Sequence, residues 1–273
     1  ALDSGDLQLS LNTKFWKGLP ELAGLVLAGK GDLWIGHIDG FAKAASRGAP
    51  VQLVSVTGWK KFYILSQNPN IKTFDDFLAM PEEAAVDVAP PYTPVIPVLR
   101  AMENKGLPHL HYLPHQPKQL ALSVIQGKAN LIILPEPLVT VLLNKVPNLR
   151  IIASVEEEYG KMLGKPPMLP LAGIAINTNT AHQHPELLQK LRSALKAQEQ
   201  RLINNPAYGV SVLPKSFEAF VSKDLAKKSM ARDLIHVESG IEAKEAILEY
   251  LKIITPKSHK TITLPEAFFG PTQ

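Results

Sequence analysis

An α/β fold built as two lobes is what this sequence predicts, and three observations carry that prediction. Apolar and β-branched runs alternate with helix-like runs through the first two-thirds of the chain. The length, 273 residues, is long for one compact domain and right for two of ordinary size. Finally, a segment recurs. Leu22-Ala23-Gly24-Leu25-Val26-Leu27-Ala28-Gly29-Lys30-Gly31-Asp32-Leu33-Trp34-Ile35 aligns with Leu120-Ala121-Leu122-Ser123-Val124-Ile125-Gln126-Gly127-Lys128-Ala129-Asn130-Leu131-Ile132-Ile133, seven of fourteen positions being identical at an offset of 98. That spacing is too long for a solenoid and suits a repeated lobe.

The elements follow in order. Leu7–Leu11 reads as a strand, Leu19–Ala28 as a helix ended by Gly29 at its C-cap, and Leu33–Ile35 as a strand. Gly40–Arg47 is a short helix closed by Gly48, and Val51–Val56 and Phe62–Ser66 are strands. Thr73 caps a helix whose first turn holds Asp75 and Asp76, where acids complement the helix dipole. After the strand Ala84–Val88, Thr93 and Pro94 make an Ncap–N1 pair opening a helix to Lys105. His109–Leu113 reads as a strand, Lys118–Gln126 as a helix, and Leu131–Leu134, Ile151–Ser154 and Gly173–Ile176 as strands. From Pro185 long helices take over, Glu186–Asn204 and Ala243–Ile254 being amphipathic. Glu156-Glu157-Glu158 reads as a solvated helix start.

Composition excludes several classes of function. With no cysteine, the chain has no thiol catalysis, thiolate metal site, iron–sulfur cluster or disulfide. The net charge of +4 comes from scattered Lys and Arg, without the basic stripe that nucleic acid requires. No apolar stretch reaches membrane-spanning length, and the first residues do not form a signal peptide. There is no G-x-S-x-G, Walker loop or H-E-x-x-H, and Gly29-x-Gly31 is a turn. No carboxylate or Cys completes a set with His109, His111 and His115, and two prolines interrupt the segment, so no metal and no cofactor are expected.

The order of certain pieces carries a family resemblance. These are the helix–Gly-Lys-x-Asp–strand unit, Arg47-Gly48-Ala49-Pro50-Val51-Gln52-Leu53-Val54, Ile71-Lys72-Thr73-Phe74-Asp75-Asp76-Phe77, Leu134-Pro135-Glu136-Pro137 and the closing Leu264-Pro265-Glu266-Ala267-Phe268-Phe269. Together they resemble the nitrate/sulfonate/taurine and thiamine-precursor group of substrate-binding proteins. Members of that group are the ligand-capturing subunits of ABC importers and have the type II periplasmic-binding-protein fold. The resemblance implies lobe I from residues 1–70 and 173–273, with the C-terminal helices packed on it, and lobe II from residues 71–172. Each lobe would be a mixed sheet flanked by helices, with a ligand cleft between the lobes and hinge closure on binding. Members begin with a strand and a helix ahead of the segment matching Leu7–Leu11, so the first strand and helix of lobe I are expected to be missing here.

Candidate ligand contacts follow from strand ends, where open α/β sheets hold their ligands. Trp16 and Trp59 lie in loops directly after strands, at the cleft end of the first lobe, and are candidate walls of the site; Trp34, within a strand, is core. Tyr92 and Thr93 form the loop entering a helix, whose free N–H groups suit an acidic oxygen or simply a cap. Glu136 is either held by a partner or faces the cleft, and His37 and Asp39 in the equivalent first loop have the same two readings. Facing the cleft, these groups favour a ligand with a donor or positive charge, such as an aminopyrimidine or amine, over a simple anion.

The expected function is capture of a small organic molecule for ABC-type import, in the periplasm or outside the cytoplasm, without enzymatic chemistry. The expected partners are that ligand and an ABC permease, with no nucleic acid, membrane contact only through the transporter, and a monomeric chain. The alternatives are an enzyme on the same fold, of menaquinone-pathway or thiamine-pyrimidine type, and the ligand-sensing domain of a receptor. The thiamine-pyrimidine branch is associated with a cysteine-rich motif this chain lacks, whereas Asp39 or Glu136 would serve the other as an acid or base.

Overall fold

The chain divides into two units, unit 1 comprising Ala1–Trp59, Leu169–Pro214 and Leu234–Gln273, and unit 2 comprising Lys60–Met168 and Lys215–Asp233. The computed structural model describes residues 12–16, 18–213, 221–255 and 262–270, and the strand expected at Leu7–Leu11 lies outside them.

Unit 1 holds α1 (Leu19–Leu27), β1 (Leu33–His37), α2 (Ile38–Ala45), β2 (Val51–Gly58), β8 (Ala172–Asn177), α8 (Thr178–Gln183), α9 (Pro185–Asn204), α10 (Pro206–Ser211), β9 (Glu238–Ser239), α12 (Lys244–Ile254) and a 3₁₀ turn, Glu266–Phe269. Its sheet runs β1-β8-β2-β9, and every described pairing is antiparallel because β8 returns between β1 and β2. Val51–Val56 is buried on both faces, which is why it reads as an unbroken apolar run. Val54, Ile174 and Ile176 pack with Leu188 and Leu191 of α9 on one side. Gly173 permits the close approach of β8 to β2, since a Cβ there would lie 2.3 Å from the Ser55 carbonyl oxygen.

Unit 2 holds β3 (Phe62–Ser66), α3 (Phe74–Leu78), β4 (Ala85–Val88), α4 (Val95–Glu103), β5 (His111–Pro114), α5 (Pro117–Ile125), β6 (Leu131–Pro135), α6 (Leu138–Lys145), β7 (Arg150–Ser154), α7 (Val155–Leu163) and α11 (Lys223–Met230). Its sheet runs β5-β4-β6-β3-β7, parallel across β5-β4-β6 and antiparallel across β6-β3-β7. The core beneath α5 and α6 contains Leu65, Leu120, Val124, Ile132, Leu134, Val139 and Leu142. At the entry to α3, Thr73 and Asp76 form the reciprocal capping box.

The observed boundaries differ from those read in the sequence. β3 pairs with β6 and β7, so the chain enters unit 2 at Lys60. Helix α11 packs against α6 in unit 2, so not all of the C-terminal helices belong with unit 1. The cause is a set of polar bonds formed by Ser229, Arg232 and Asp233 with residues of unit 2, described below.

The internal repeat is structural as well as sequential. In the first copy Ala28 N donates to Gly24 O at 3.0 Å, Gly29 N to Val26 O at 3.0 Å and Lys30 N to Leu25 O at 2.9 Å. In the second, Gln126 N donates to Leu122 O at 3.0 Å, Gly127 N to Val124 O at 3.0 Å and Lys128 N to Ser123 O at 2.9 Å. Gly29 and Gly127 take φ of 61° and 69°, the left-handed conformation that closes such a cap. Each helix therefore stops at the same place and feeds a strand in the same way. Among the described residues, no helix is long and apolar enough to cross a membrane.

Candidate functional site

In unit 2 the parallel strands β4, β5 and β6 end at one edge of the sheet, and β3 begins there because it runs antiparallel to β6. The order β5-β4-β6 means that the chain moves from β4 to one side and then returns to the other. This makes a switch point between β4 and β6, the place where open α/β sheets hold ligands. The loop after β4 runs Ala89-Pro90-Pro91-Tyr92-Thr93-Pro94, with Ala89 N bonded to Ile133 O at 3.1 Å. Its first peptide bond, Ala89–Pro90, is cis, as is Glu136–Pro137 across the switch point.

Tyr92 stands 94% exposed at the tip of that loop, with φ of 61°. A large side chain in the left-handed region, held by neighbouring prolines and pointing to solvent, is unfavourable locally and places an aromatic face at the strand ends. Thr93 is buried, and its Oγ1 lies 3.5 Å from Val95 N as a weak cap on α4. The helix is assigned from Val95 with Pro94 as its N-cap, one residue later than read from sequence. With prolines at 91, 94 and 97, this helix start has few free N–H groups for an anion.

Glu136 is held by partners within its own unit. Its side chain is 3% exposed and accepts from Arg232 Nε at 2.8 Å, Thr140 Oγ1 at 3.0 Å, Thr140 N at 3.1 Å and Ser229 Oγ at 3.2 Å. The guanidinium also bonds Thr140 Oγ1 through Nη2. The carboxylate thus sits on the amino end of α6, where the helix dipole favours it, and carries a permanent counter-charge. Of the two readings open for Glu136, the structure selects the partnered one. The sequence argument missed Arg232 because it lies 96 residues away.

Beside it is a second buried acid, Glu156, which the structure moves from the solvated helix start read in the sequence to the interior. It is fully buried at the start of α7, and Glu158 is buried as well. Lys61 N and Phe62 N donate to Glu156 Oε1 at 2.9 and 3.0 Å, and Ser154 Oγ lies 3.3 Å from Oε2. Burial pushes its pKa up to about 7 against the opposing pull of those backbone donors. Burial and the nearby Glu156 and Glu136 also raise the Tyr63 phenol, whose hydroxyl donates to Arg232 O at 2.8 Å. Close by, Lys60 pairs with Glu157 and Lys61 with Asp233.

At the other side of this edge, His115 Nε2 lies 2.6 Å from Asp87 Oδ1, and His115 N donates to Val88 O at 2.8 Å. The remaining strand histidines face the opposite end of β5. His109 approaches Glu103 at 2.9 Å and Glu83 at 3.4 Å, and His111 approaches Glu83 at 3.9 Å. The fold thus gives each of these histidines a carboxylate neighbour. Among the described residues, no group of three or more His, Cys, Asp or Glu is arranged to hold a metal ion.

The corresponding edge of unit 1 is formed by His37 at the end of β1, Gly58 at the end of β2 and Ala172 at the start of β8. His37 is half-buried and precedes α2, whose first turn carries Asp39. Asp39 is paired with Lys43 at 2.8 Å, one helical turn on. Trp16 is half-buried and donates from Nε1 to the Ile35 carbonyl at 3.3 Å, alongside the middle of β1. Trp59 has no exposed surface, and its Nε1 donates to His236 O at 3.0 Å. The cleft wall expected at Trp59 is therefore corrected to a core residue, because the segment around His236 covers the indole. Trp34 is core as read, donating to Lys30 O at 3.0 Å. A shallow recess of about 330 Å³ lined by Gln200, Arg201, Asn204, Asn205 and Tyr208 belongs to α9 and α10, not to the strand ends.

No protein-family profile and no curated protein matches the sequence. Solved structures do match the fold. An ABC transporter protein from Parabacteroides distasonis has a TM-score of 0.76 at 20% identity over 96% of this chain and 88% of its own. The periplasmic aliphatic sulphonate binding protein SsuA of Escherichia coli has a TM-score of 0.66 at 15% identity, over 93% and 85% respectively. The alkanesulfonate-binding protein SsuA of Xanthomonas axonopodis pv. citri, solved with MOPS, has a TM-score of 0.60 at 16% identity, over 93% and 83%. The fold is therefore the periplasmic-binding-protein fold of ABC-importer binding components, an α/β architecture with two sheets flanked by helices.

Proposed function

We propose that this chain is the substrate-binding component of an ABC-type importer, capturing a small organic molecule outside the cytoplasm and presenting it to a permease. The observation that carries the reading is the fold itself, which is similar to that of a ligand-binding component of an ABC-type import system and of a periplasmic sulphonate-binding protein across more than nine-tenths of the chain. The strand-end loops support it. Unit 2 presents an exposed aromatic on a proline-stiffened loop at a topological switch point, and unit 1 presents His37 at the equivalent edge. Tyr92, Thr93, His37 and Trp16 are the proposed contacts. Glu136, Asp39 and Trp59 act in support, since each is committed to partners of its own unit.

Binding proceeds without covalent chemistry. The two acids weighed for catalysis have cationic partners, Glu136 in Arg232 and Asp39 in Lys43, which supports a binding role for these strand ends. Isothermal titration against a panel of amines, amino acids, sulfonates and heterocycles tests the reading. Micromolar or tighter binding of at least one compound, unchanged in structure after dialysis, supports it. Turnover of a bound compound, or no binding across the panel and no small molecule released on denaturation, would refute it.

A further inference from the structure

Among the described residues at the strand-end edge of unit 2, several acids are matched by a permanent cation or withdrawn from solvent. Glu136 has Arg232, Glu157 has Lys60, Asp233 has Lys61, and Glu156 is fully buried with a raised pKa. Asp87 differs, because its described partner is the imidazole of His115, 2.6 Å away. The imidazole is not a fixed cation, and with Nε2 engaged by Asp87 its second ring nitrogen, Nδ1, is the one left for a ligand. Both side chains remain partly exposed, Asp87 at 22% and His115 at 35%. They stand at the ends of adjacent parallel strands, joined by the His115 N to Val88 O bond, and β4 leads directly into the loop bearing Tyr92.

We propose that the Asp87–His115 pair anchors the positively charged nitrogen of the ligand, an ammonium or amidinium group, with the Tyr92 ring as its aromatic neighbour. This rests on the solute-binding reading and names the ligand class for it. The pair supplies an acceptor (His115 Nδ1) backed by an anion (Asp87). Tyr92 supplies a π-face, the partner to which cations and flat cationic groups are drawn. An acidic ligand would meet the Asp87 carboxylate, whose described partner is an imidazole and not a Lys or Arg, and a helix start poor in N–H donors. The proposal relocates the acid that selects the ligand from Glu136 and Asp39, which the fold has already paired, to Asp87.

The test uses pairs of compounds sharing a carbon skeleton, benzamidine with benzenesulfonate and butylamine with butanesulfonate, alongside amines and sulfonates that bind more tightly in the panel above. Binding to the whole chain is measured by titration, and the His115 ring is followed by ¹⁵N NMR. The expected result is that basic members bind in preference to their acidic counterparts and shift the His115 ring nitrogens. Asp87→Asn should then lose roughly 10- to 100-fold in affinity, the worth of a charged hydrogen bond. His115→Gln, which keeps an acceptor at this place, should lose less than His115→Leu. Preferential binding of the acidic members, or basic members that bind equally to wild type and Asp87→Asn with an unmoved His115 ring, would overturn the ligand class while leaving the solute-binding function intact. Failure of both classes to bind the wild type would count against both.

Discussion

Replacing Glu156 by glutamine should make this protein more stable at alkaline pH and leave it nearly unchanged at acid pH. The carboxyl is fully buried, and burial raises its pKa from the ordinary 4.5 to about 7 in the folded chain. Between those values the folded protein holds a proton that the unfolded chain releases, so stability falls as pH rises through the window and levels off above about 7. A shift of this size corresponds to about 3 kcal/mol at 1.36 kcal/mol per unit. The glutamine oxygen can still accept from Lys61 N and Phe62 N at the Oε1 position and the amide nitrogen can donate to Ser154 Oγ, the longer 3.3 Å contact of Phe62 N with Oε2 alone being given up. The geometry is preserved and the desolvated charge is removed. Urea unfolding followed by far-UV circular dichroism, with amide exchange in β3 reporting on unit 2, should give a Glu156→Gln gain of roughly 3 kcal/mol at pH 8.5 and near zero at about pH 4. An equal effect at both pH values would refute the assignment of the titration to Glu156.

Other substitutions test separate parts of the account. Arg232→Met leaves the buried Glu136 carboxylate without its counter-charge and should cost about 3 kcal/mol, with increased proteolysis near α11; Glu136→Gln in the same chain should recover part of the loss. Gly127→Ala should cost about 1 kcal/mol, because alanine resists the left-handed conformation. Gly29→Ala should cost more, since its Cβ would also meet Pro50 Cγ at 3.1 Å; equal costs in thermal melts would contradict this packing. Tyr92→Gly should stabilise the fold by about 1 kcal/mol by relieving positive φ, while weakening ligand binding, so a variant losing both stability and affinity would argue against a functional exposed ring.

Much of the fold was legible because its signals are local. Leu22 and Val26 are four residues apart and bury together in α1, as Leu120 and Val124 do in α5, and the Gly-Lys turns after these helices announce the same cap twice. Thr73 and Asp76 specify their capping box within four residues. The candidate site was less legible, because its outcome depends on which partner reaches each polar group. The sequence pattern assigns His115 no partner because Asp87, 28 residues earlier, becomes its neighbour only when β4 and β5 pair.

By itself the sequence determined the alternation of strands and helices, the doubled helix–turn–strand unit and the strand ends that carry distinctive residues, all properties of neighbours along the chain. Tertiary structure decided the rest. It placed β3 in the second sheet and carried Arg232 to Glu136, α11 thereby joining unit 2. It also buried Trp59 beneath a segment 177 residues away and left Asp87 without a permanent cation. The physical reason is that a short pattern records backbone periodicity and capping, whereas the charge a side chain keeps is set by burial and by distant partners. The fold class therefore follows from local pattern, and the electrostatic character of the strand-end edge follows from the assembled chain.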